Sequence, residues 1–216
     1  MSAGVASYAQ IEIAAGDAGL IVMGALDPEE ESGTLVLLGA GPEFWPVLRA
    51  SAEATDDLPD PVDRWSMRVV GSLADQFGAQ AVFPFGGPPY APFIRWAEAS
   101  GRAFKSPVGM LVHDTVGMMI SYRGALLLPQ HVPFPMPAGV SPCTTCHAPC
   151  TTACPVGALS ADAPYDLAAC HGFLDTPAGV DCLINGCAAR RACPVSAGAG
   201  RDPAQSAHHM KAFHPR

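Results

Sequence analysis

Apolar positions along the chain fall in short, dense runs. LIVMGAL at 20–26 and GTLVLLGA at 33–40 are of strand length and predict two β-strands. Residues 5–15 predict a helix, with Gly16 as its stop. Pro42 suits the first turn of a helix, so 42–54 (PEFWPVLRASAEA) predicts one, interrupted at Pro46, and 61–77 (PVDRWSMRVVGSLADQF) predicts another. AQAVFPF at 79–85 is a further strand candidate, and PFIRWAEAS at 92–100 a helix that Gly101 ends. GMMISYRG (117–124) and ALLLP (125–129) complete the series as strands. Helices and strands mix without a strict βαβ rhythm, which predicts an α+β fold with a largely antiparallel sheet.

The pattern then breaks. PQHVPFPMPAGVSP, residues 129–142, carries five prolines and excludes a regular helix or central strand, so it predicts an extended linker. All eight cysteines lie beyond it, between Cys143 and Cys193. Composition therefore divides the chain into an α+β module over 1–130 and a small cysteine-rich module over 131–216. The stretch AQSAHHMKAFH at 204–214 is helix-like, and its histidines His208, His209 and His214 read as surface or packing residues.

Charge narrows the functions. With a net charge of −8 and only Lys105 and Lys211 as lysines, a nucleic-acid backbone is a poor partner, because phosphate binding depends on clustered Lys and Arg. Up to Asp63 there are twelve acids against Arg49 alone; that acidic third reads as a solvated face able to steer a basic redox partner. GLIVMGAL at 19–26 falls far short of the roughly 20 apolar residues that span a bilayer, so no membrane partner is expected. No Lys or Arg precedes Arg49 to form the basic start of a secretory signal, and the expected location is the cytoplasm. There, eight cysteines favour metal over disulfides.

The first four cysteines, Cys143, Cys146, Cys150 and Cys154, precede Pro155 in the pattern C-x2-C-x3-C-x3-C-P. A ferredoxin run reads C-x2-C-x2-C-x3-C-P, because loops of two or three residues let successive sulfurs reach the corners of one iron–sulfur cube. The match has one extra residue, placed before Cys150. Cys170, Cys182, Cys187 and Cys193 form a looser second set that again ends in Cys-Pro. Two sets of four meet the demand of two 4Fe-4S clusters, and in two-cluster ferredoxins the cysteine before proline ligates the other cluster. By that rule Cys143, Cys146, Cys150 and Cys193 hold one cluster, and Cys154, Cys170, Cys182 and Cys187 the other. One cluster with zinc or free thiols, zinc alone as a structural staple, and disulfides are the alternatives.

His147 and His171 adjoin cysteines, but eight thiols leave no need for imidazole ligands, and both read as loop residues. Arg190 and Arg191, between Cys187 and Cys193, offset the negative charge of thiolate-ligated iron, which would raise a cluster potential. Gly39-Ala40-Gly41 has the opening of a dinucleotide fingerprint. Phe44 holds the third glycine's place, so the stretch reads as an ordinary strand-to-helix turn.

Two stretches carry a resemblance. PDPVDRWSMRVVGSL at 59–73 and SPVGMLVHDTVGMMISYRGALLLP at 106–129 resemble the cobalamin-processing CblC family, with its Asp-Pro-Val-Asp and Ile-His-Pro…Arg-Gly-Val-Val-Leu-Leu-Pro stretches. The cysteine-rich part is similar to the iron–sulfur module of epoxyqueuosine reductase and the reductive dehalogenases, where a four-cysteine run ending Cys-Pro is followed by a lone cysteine, as Cys170 follows here. The resemblance implies a nitroreductase-like sheet followed by a ferredoxin-like module, with cobalamin as a further cofactor. It implies that Arg123 contacts a thiol cosubstrate and that His113 matches the histidine of Ile-His-Pro, although Asp114 replaces the proline. The reductase's proton-donating aspartate falls on Pro89, in PPYAP at 88–92, which cannot donate a proton; queuosine chemistry is not expected. The helical repeats with which that reductase holds tRNA have no counterpart in these residues.

The expectation is an iron–sulfur protein that moves single electrons through two 4Fe-4S clusters to or from a donor or acceptor protein. A cobalamin-linked oxidoreductase acting on a corrinoid or thiol small molecule is the second reading, and a zinc-stapled structural protein the third.

Overall fold

In the computed structural model, which describes residues 7–29 and 32–215, the chain runs α1 (Tyr8–Asp17), β1 (Leu20–Leu26), β2 (Thr34–Ala40), α2 (Phe44–Arg49), α3 (Pro61–Phe77), β3 (Gln80–Val82) and α4 (Phe93–Ala99). It continues with β4 (Ala103–Lys105), β5 (Leu111–His113), β6 (Tyr122–Leu128), α5 (Leu167–Leu174), α6 (Val180–Asn185), α7 (Ala188–Ala192) and α8 (Pro203–Phe213). The fold is α+β: an antiparallel four-stranded sheet with helices, then a mostly helical region rich in cysteines. Two compact units form, one from Met1–Arg102 with Ser121–Gly139 and one from Ala103–Ile120 with Val140–Arg216.

The sheet of the first unit has the order β1-β2-β6-β3. Alternation along the strands gives it two faces. Val36, Leu38, Leu126 and Leu128 point to a core completed by Ile11 of α1, Phe44 and Leu48 of α2, and Trp65 and Val70 of α3. Phe44 meets Trp65 edge-on, ring centroids 5.2 Å apart, the favoured geometry for opposed ring quadrupoles. The helix ends explain the boundaries. Ser7 and Gln10 form a reciprocal capping box at the start of α1. That helix passes Gly16 and stops at Ala18, because the chain turns only at Gly19, whose φ is +82°; residues 5 and 6 of the expected helix lie outside the described residues. In α3, Pro61 occupies the first turn and Gly78 closes the end in the left-handed region.

Several elements differ from expectation. Pro46 lies in the first turns of α2, which ends at Arg49 and gives way to a 3-10 turn over Ala52–Ala54. The strand expected over 79–85 is only β3, with three residues paired to β6. The two strands expected over 117–129 are a single one, β6, and 117 instead bridges back to His113. Arg123 is an extra residue in β6: Leu38 pairs with Gly124 and Gly39 with Tyr122. A bulge of this kind re-aims the side chain it carries. The proline-rich stretch holds no helix or strand over 131–141, yet it is not a free linker. Val132 is buried, and its N–H donates to Thr34 Oγ1 (3.0 Å), stitching 132 to β2.

The second unit begins with residues 103–120, which contain no cysteine. β4 and β5 form a hairpin whose Val108 and Val112 join Met118, Leu159, Ala189, Cys150 and Cys193 in one buried cluster. The composition break at 130/131 places this hairpin in the first module; in the fold it groups with the cysteines. The cysteine segment is poor in large apolar residues, and the hairpin supplies them. Met118 N–H donates to Ser196 Oγ (3.0 Å), and Arg201 to Met119 O (2.5 Å). Gly117 has φ +57°, and a Cβ there would meet Ser196 N at 2.3 Å, so only glycine fits this crossing. Among the described residues, no helix is long and apolar enough to cross a membrane.

Candidate metal centre

The first cysteine run is a chain of tight turns. Cys143 N–H donates to Ser141 Oγ (3.2 Å), and Cys146 N–H to Cys143 O (3.2 Å). Ala148 then adopts a left-handed conformation, φ +51°, and opens the 3-10 turn Pro149–Thr151 that carries Cys150. This is where the run is one residue longer than a ferredoxin's, and the left-handed step absorbs the extra length. After Cys154, Gly157 at φ +64° donates to Cys154 O (3.1 Å) and turns the chain away.

The second set sits on helices. Asp166 caps α5, which holds Cys170, by accepting Ala169 N–H (2.9 Å). Cys182 is buried in α6, Cys187 opens α7 and Cys193 closes it. α7 packs against the turn that carries Cys150, and α5 packs against α6. Cys150 and Cys193 are both buried in the apolar cluster of this unit, and Cys143, Cys154 and Cys187 border it.

All eight cysteines are thiols. Their electrostatic neighbourhoods fall into two groups. Burial pushes the Cys143 thiol up, a hydrogen bond from Ser141 opposes this, and Cys193 and Cys146 add to it. Cys150 is pushed up by burial and by Cys143, Cys193 and Cys146. Cys170 is pushed up by burial, with the Tyr165 hydroxyl opposing and Cys187, Cys154 and Cys182 adding. Sulfurs that press on each other's charge in this way lie near one another. Cys143 and Cys150 thus have Cys146 and Cys193 as neighbours, and Cys170 has Cys154, Cys182 and Cys187. Among the described residues, no group of three or more His, Cys, Asp or Glu side chains is arranged to hold a metal ion.

His147 is exposed. His171 is on α5, not in a loop; its Nδ1 lies 2.6 Å from Nδ1 of the buried His214, whose Nε2 is 3.0 Å from Asp175 Oδ1. His113, in the second unit, is fully buried, and its Nδ1 accepts Thr115 N–H (3.1 Å), which caps the turn after β5. Arg123, in the first unit, keeps 13% of its side-chain surface and lies 3.6 Å from Asp63 Oδ1. Burial pushes its guanidinium down and Asp63 opposes this; its Nε has no hydrogen-bond partner among the described residues.

The other face of the sheet, with Leu35 and Leu127, borders a cleft of about 820 Å³ in the first unit, walled by Tyr90, Arg95, Trp96 and Phe134. Pro89 also lines it. Sequence reasoning missed two groups at the thiols, Ser141 and Tyr165. Ser141 could have been found as a hydroxyl two residues before a ligand-type cysteine, whereas nothing in the sequence marks Tyr165. No family model matches the chain, and a search of the curated proteins finds no relative.

Proposed function

We propose that this chain is an iron–sulfur protein that passes single electrons through two 4Fe-4S clusters in its second unit. One would be held by Cys143, Cys146, Cys150 and Cys193, the other by Cys154, Cys170, Cys182 and Cys187. The observation that carries this reading is the gathering of all eight unpaired thiols in one compact unit, where α7 packs on the Cys150 turn and Cys193 joins Cys150 in one buried cluster. The interlock is the one expected of a two-cluster ferredoxin. A single zinc ion, with Zn–S bonds of about 2.3 Å, would draw four sulfurs to within about 4 Å of one another. A four-iron cube spreads its thiolates further apart, so the two groups differ in the sulfur spacing they require. When bound, such clusters supply one-electron steps without proton or bond chemistry.

The chain's own residues do the rest. The turns at Ala148 and Gly157 aim the first run, α7 carries Cys187 and Cys193 to it, and the hairpin floor keeps Cys150 and Cys193 out of water. The same proposal takes the second unit as ferredoxin-like, the first as nitroreductase-like, the partner as an electron-donor or electron-acceptor protein, and the location as the reducing cytoplasm, where eight thiols persist. Protein purified without oxygen should show a broad visible absorbance that bleaches on addition of dithionite; a colourless protein would defeat the reading.

A second reading, a cobalamin-linked reductase fed by these clusters, is favoured by the cleft of the first unit. Its volume, about 820 Å³, lies within the range of organic-ligand pockets, about 300–1,000 Å³, and its walls are mainly apolar with a few charged groups. Pro89 on its lining leaves the position of a donor aspartate without a proton to give.

A further inference from the structure

Three strands of the first unit bring their termini to one end of the sheet. In the antiparallel order β1-β2-β6, Leu26 pairs with Leu35 and Thr34 with Leu128, so the residues just past β1 and β6 lie beside the start of β2. Asp27, Thr34 and His131 meet there. Thr34 is fully buried; its Oγ1 accepts the N–H of the buried Val132 (3.0 Å) and donates to Asp27 Oδ1 (2.8 Å). His131 Nδ1 lies 3.1 Å from Asp27 Oδ1 and 3.0 Å from Oδ2. An ionised carboxylate only accepts, so the proton of the neutral imidazole sits on Nδ1 and the lone pair is on Nε2.

Stability does not account for this pair. Exposed ion pairs add little to it, and His131 leaves 63% of its side chain in solvent. The threonine that fixes the carboxylate is nonetheless wholly buried. A carboxylate held from below that in turn holds one nitrogen of an imidazole is the arrangement of an oriented general base. Asp27 also lines the cleft of about 820 Å³, as does Phe134, three residues after His131. Leu35, Leu127, Tyr90 and Trp96 give that cleft aliphatic and aromatic walls. Tyr90 is 64% exposed, so its ring is open to a ligand.

We propose that this cleft is an acid–base site in which His131, oriented by Asp27, takes a proton from a flat, apolar small molecule lying against the aromatic walls. The site belongs to the first unit and goes beyond the cluster reading, on which it does not depend. Nε2 accepts the proton, the electron pair left on the substrate moves into the adjacent bond, and the imidazolium returns the proton to product or water. No oxidant or reductant takes part. Asp27 and Thr34 are positioning residues.

The probe is 5-nitrobenzisoxazole, a flat apolar ring that a base alone can open. Its ring C–H proton passes to Nε2, the C–H electron pair completes a nitrile, the N–O bond breaks, and the oxygen leaves as a coloured phenolate. Full-length protein should turn it over with saturation. His131→Gln should lower kcat/KM by about 100-fold, the low end of what a positioned general base contributes. Asp27→Asn should lower kcat while KM holds, because an amide can donate to Nδ1 and move the ring proton to Nε2. Added imidazole should restore turnover to His131→Gly, which a purely structural role for His131 would not allow. Tyr90→Ala should raise KM more than it lowers kcat. Turnover that does not saturate, that is equal in His131→Gln and the wild type, or that imidazole fails to restore to folded His131→Gly overturns the proposal. Should the variants of His131 fail to fold, unchanged kcat and KM in both Asp27→Asn and Tyr90→Ala overturn it instead.

Discussion

Cys193 shares a buried apolar cluster with Cys150, although the two belong to different cysteine runs and three helices form in the chain between them. The contact is made by α7, which packs on the Cys150 turn and ends at Cys193. Cys193→Ala should therefore remove about four of about eight irons and abolish the EPR signal of the cluster built on Cys143, Cys146 and Cys150. Cys187→Ala should cost the same amount of iron and the other signal. Equal damage to one and the same cluster by both variants would refute the interlocked pairing.

The crossing of Gly117 over Ser196 should be intolerant of any side chain. Gly117→Ala would place a methyl group 2.3 Å from Ser196 N at a φ of +57°. Overpacking of this kind costs about 1–3 kcal/mol. Urea unfolding should show that loss, and the variant should retain less iron than the wild type after prolonged dialysis. An unchanged midpoint would mean that the hairpin is not fastened at this point.

Glu53 and Arg68 tie the turn after α2 to α3 through an N–H···O contact of 2.5 Å. The Arg68 guanidinium holds the Glu53 carboxyl down to about 2, from the usual 4.5. Because the folded value is the lower one, this pair stabilises the fold fully above pH 4.5, and the contribution is lost as pH falls toward 2. Glu53→Gln should flatten the pH dependence of thermal stability across that window and leave it unchanged above. A wild-type slope retained in the variant would place the acid sensitivity elsewhere.

Arg123 tests the second reading. Its side chain is re-aimed by the bulge in β6 and leaves Nε without a partner. If it binds a thiol or corrinoid, Arg123→Ala should weaken glutathione or hydroxocobalamin binding by at least about tenfold, the worth of one charge-assisted hydrogen bond. The iron content should not change. Equal binding by both proteins would leave Arg123 as the partner of Asp63 alone.

Much of the α+β character was legible because burial writes it directly into the sequence. The continuous apolar runs of β1 and β2, the proline start and glycine stop of α3, and the turn after Gly41 are all local signals. What failed was non-local. Nothing in GMMISYRG reveals that 117–120 turns back onto His113, or that Arg123 is a bulge residue, since both depend on the partner strand. The break in composition at the prolines misplaced the hairpin 103–120, because a cysteine-poor stretch can still serve as the floor for a cysteine-rich one. Val132 shows the converse: proline density reads as a linker, yet one buried side chain and Thr34 fix it to the sheet. At the thiols, the number and spacing of the cysteines stand in the sequence itself, while Tyr165 became visible only when α5 brought Cys170 to it.

The most direct test of the account is the count of iron and acid-labile sulfide per chain in protein purified without oxygen. The account predicts about eight of each, matched, as two four-iron clusters require. Zinc without sulfide, or thiols with no metal at all, would contradict it.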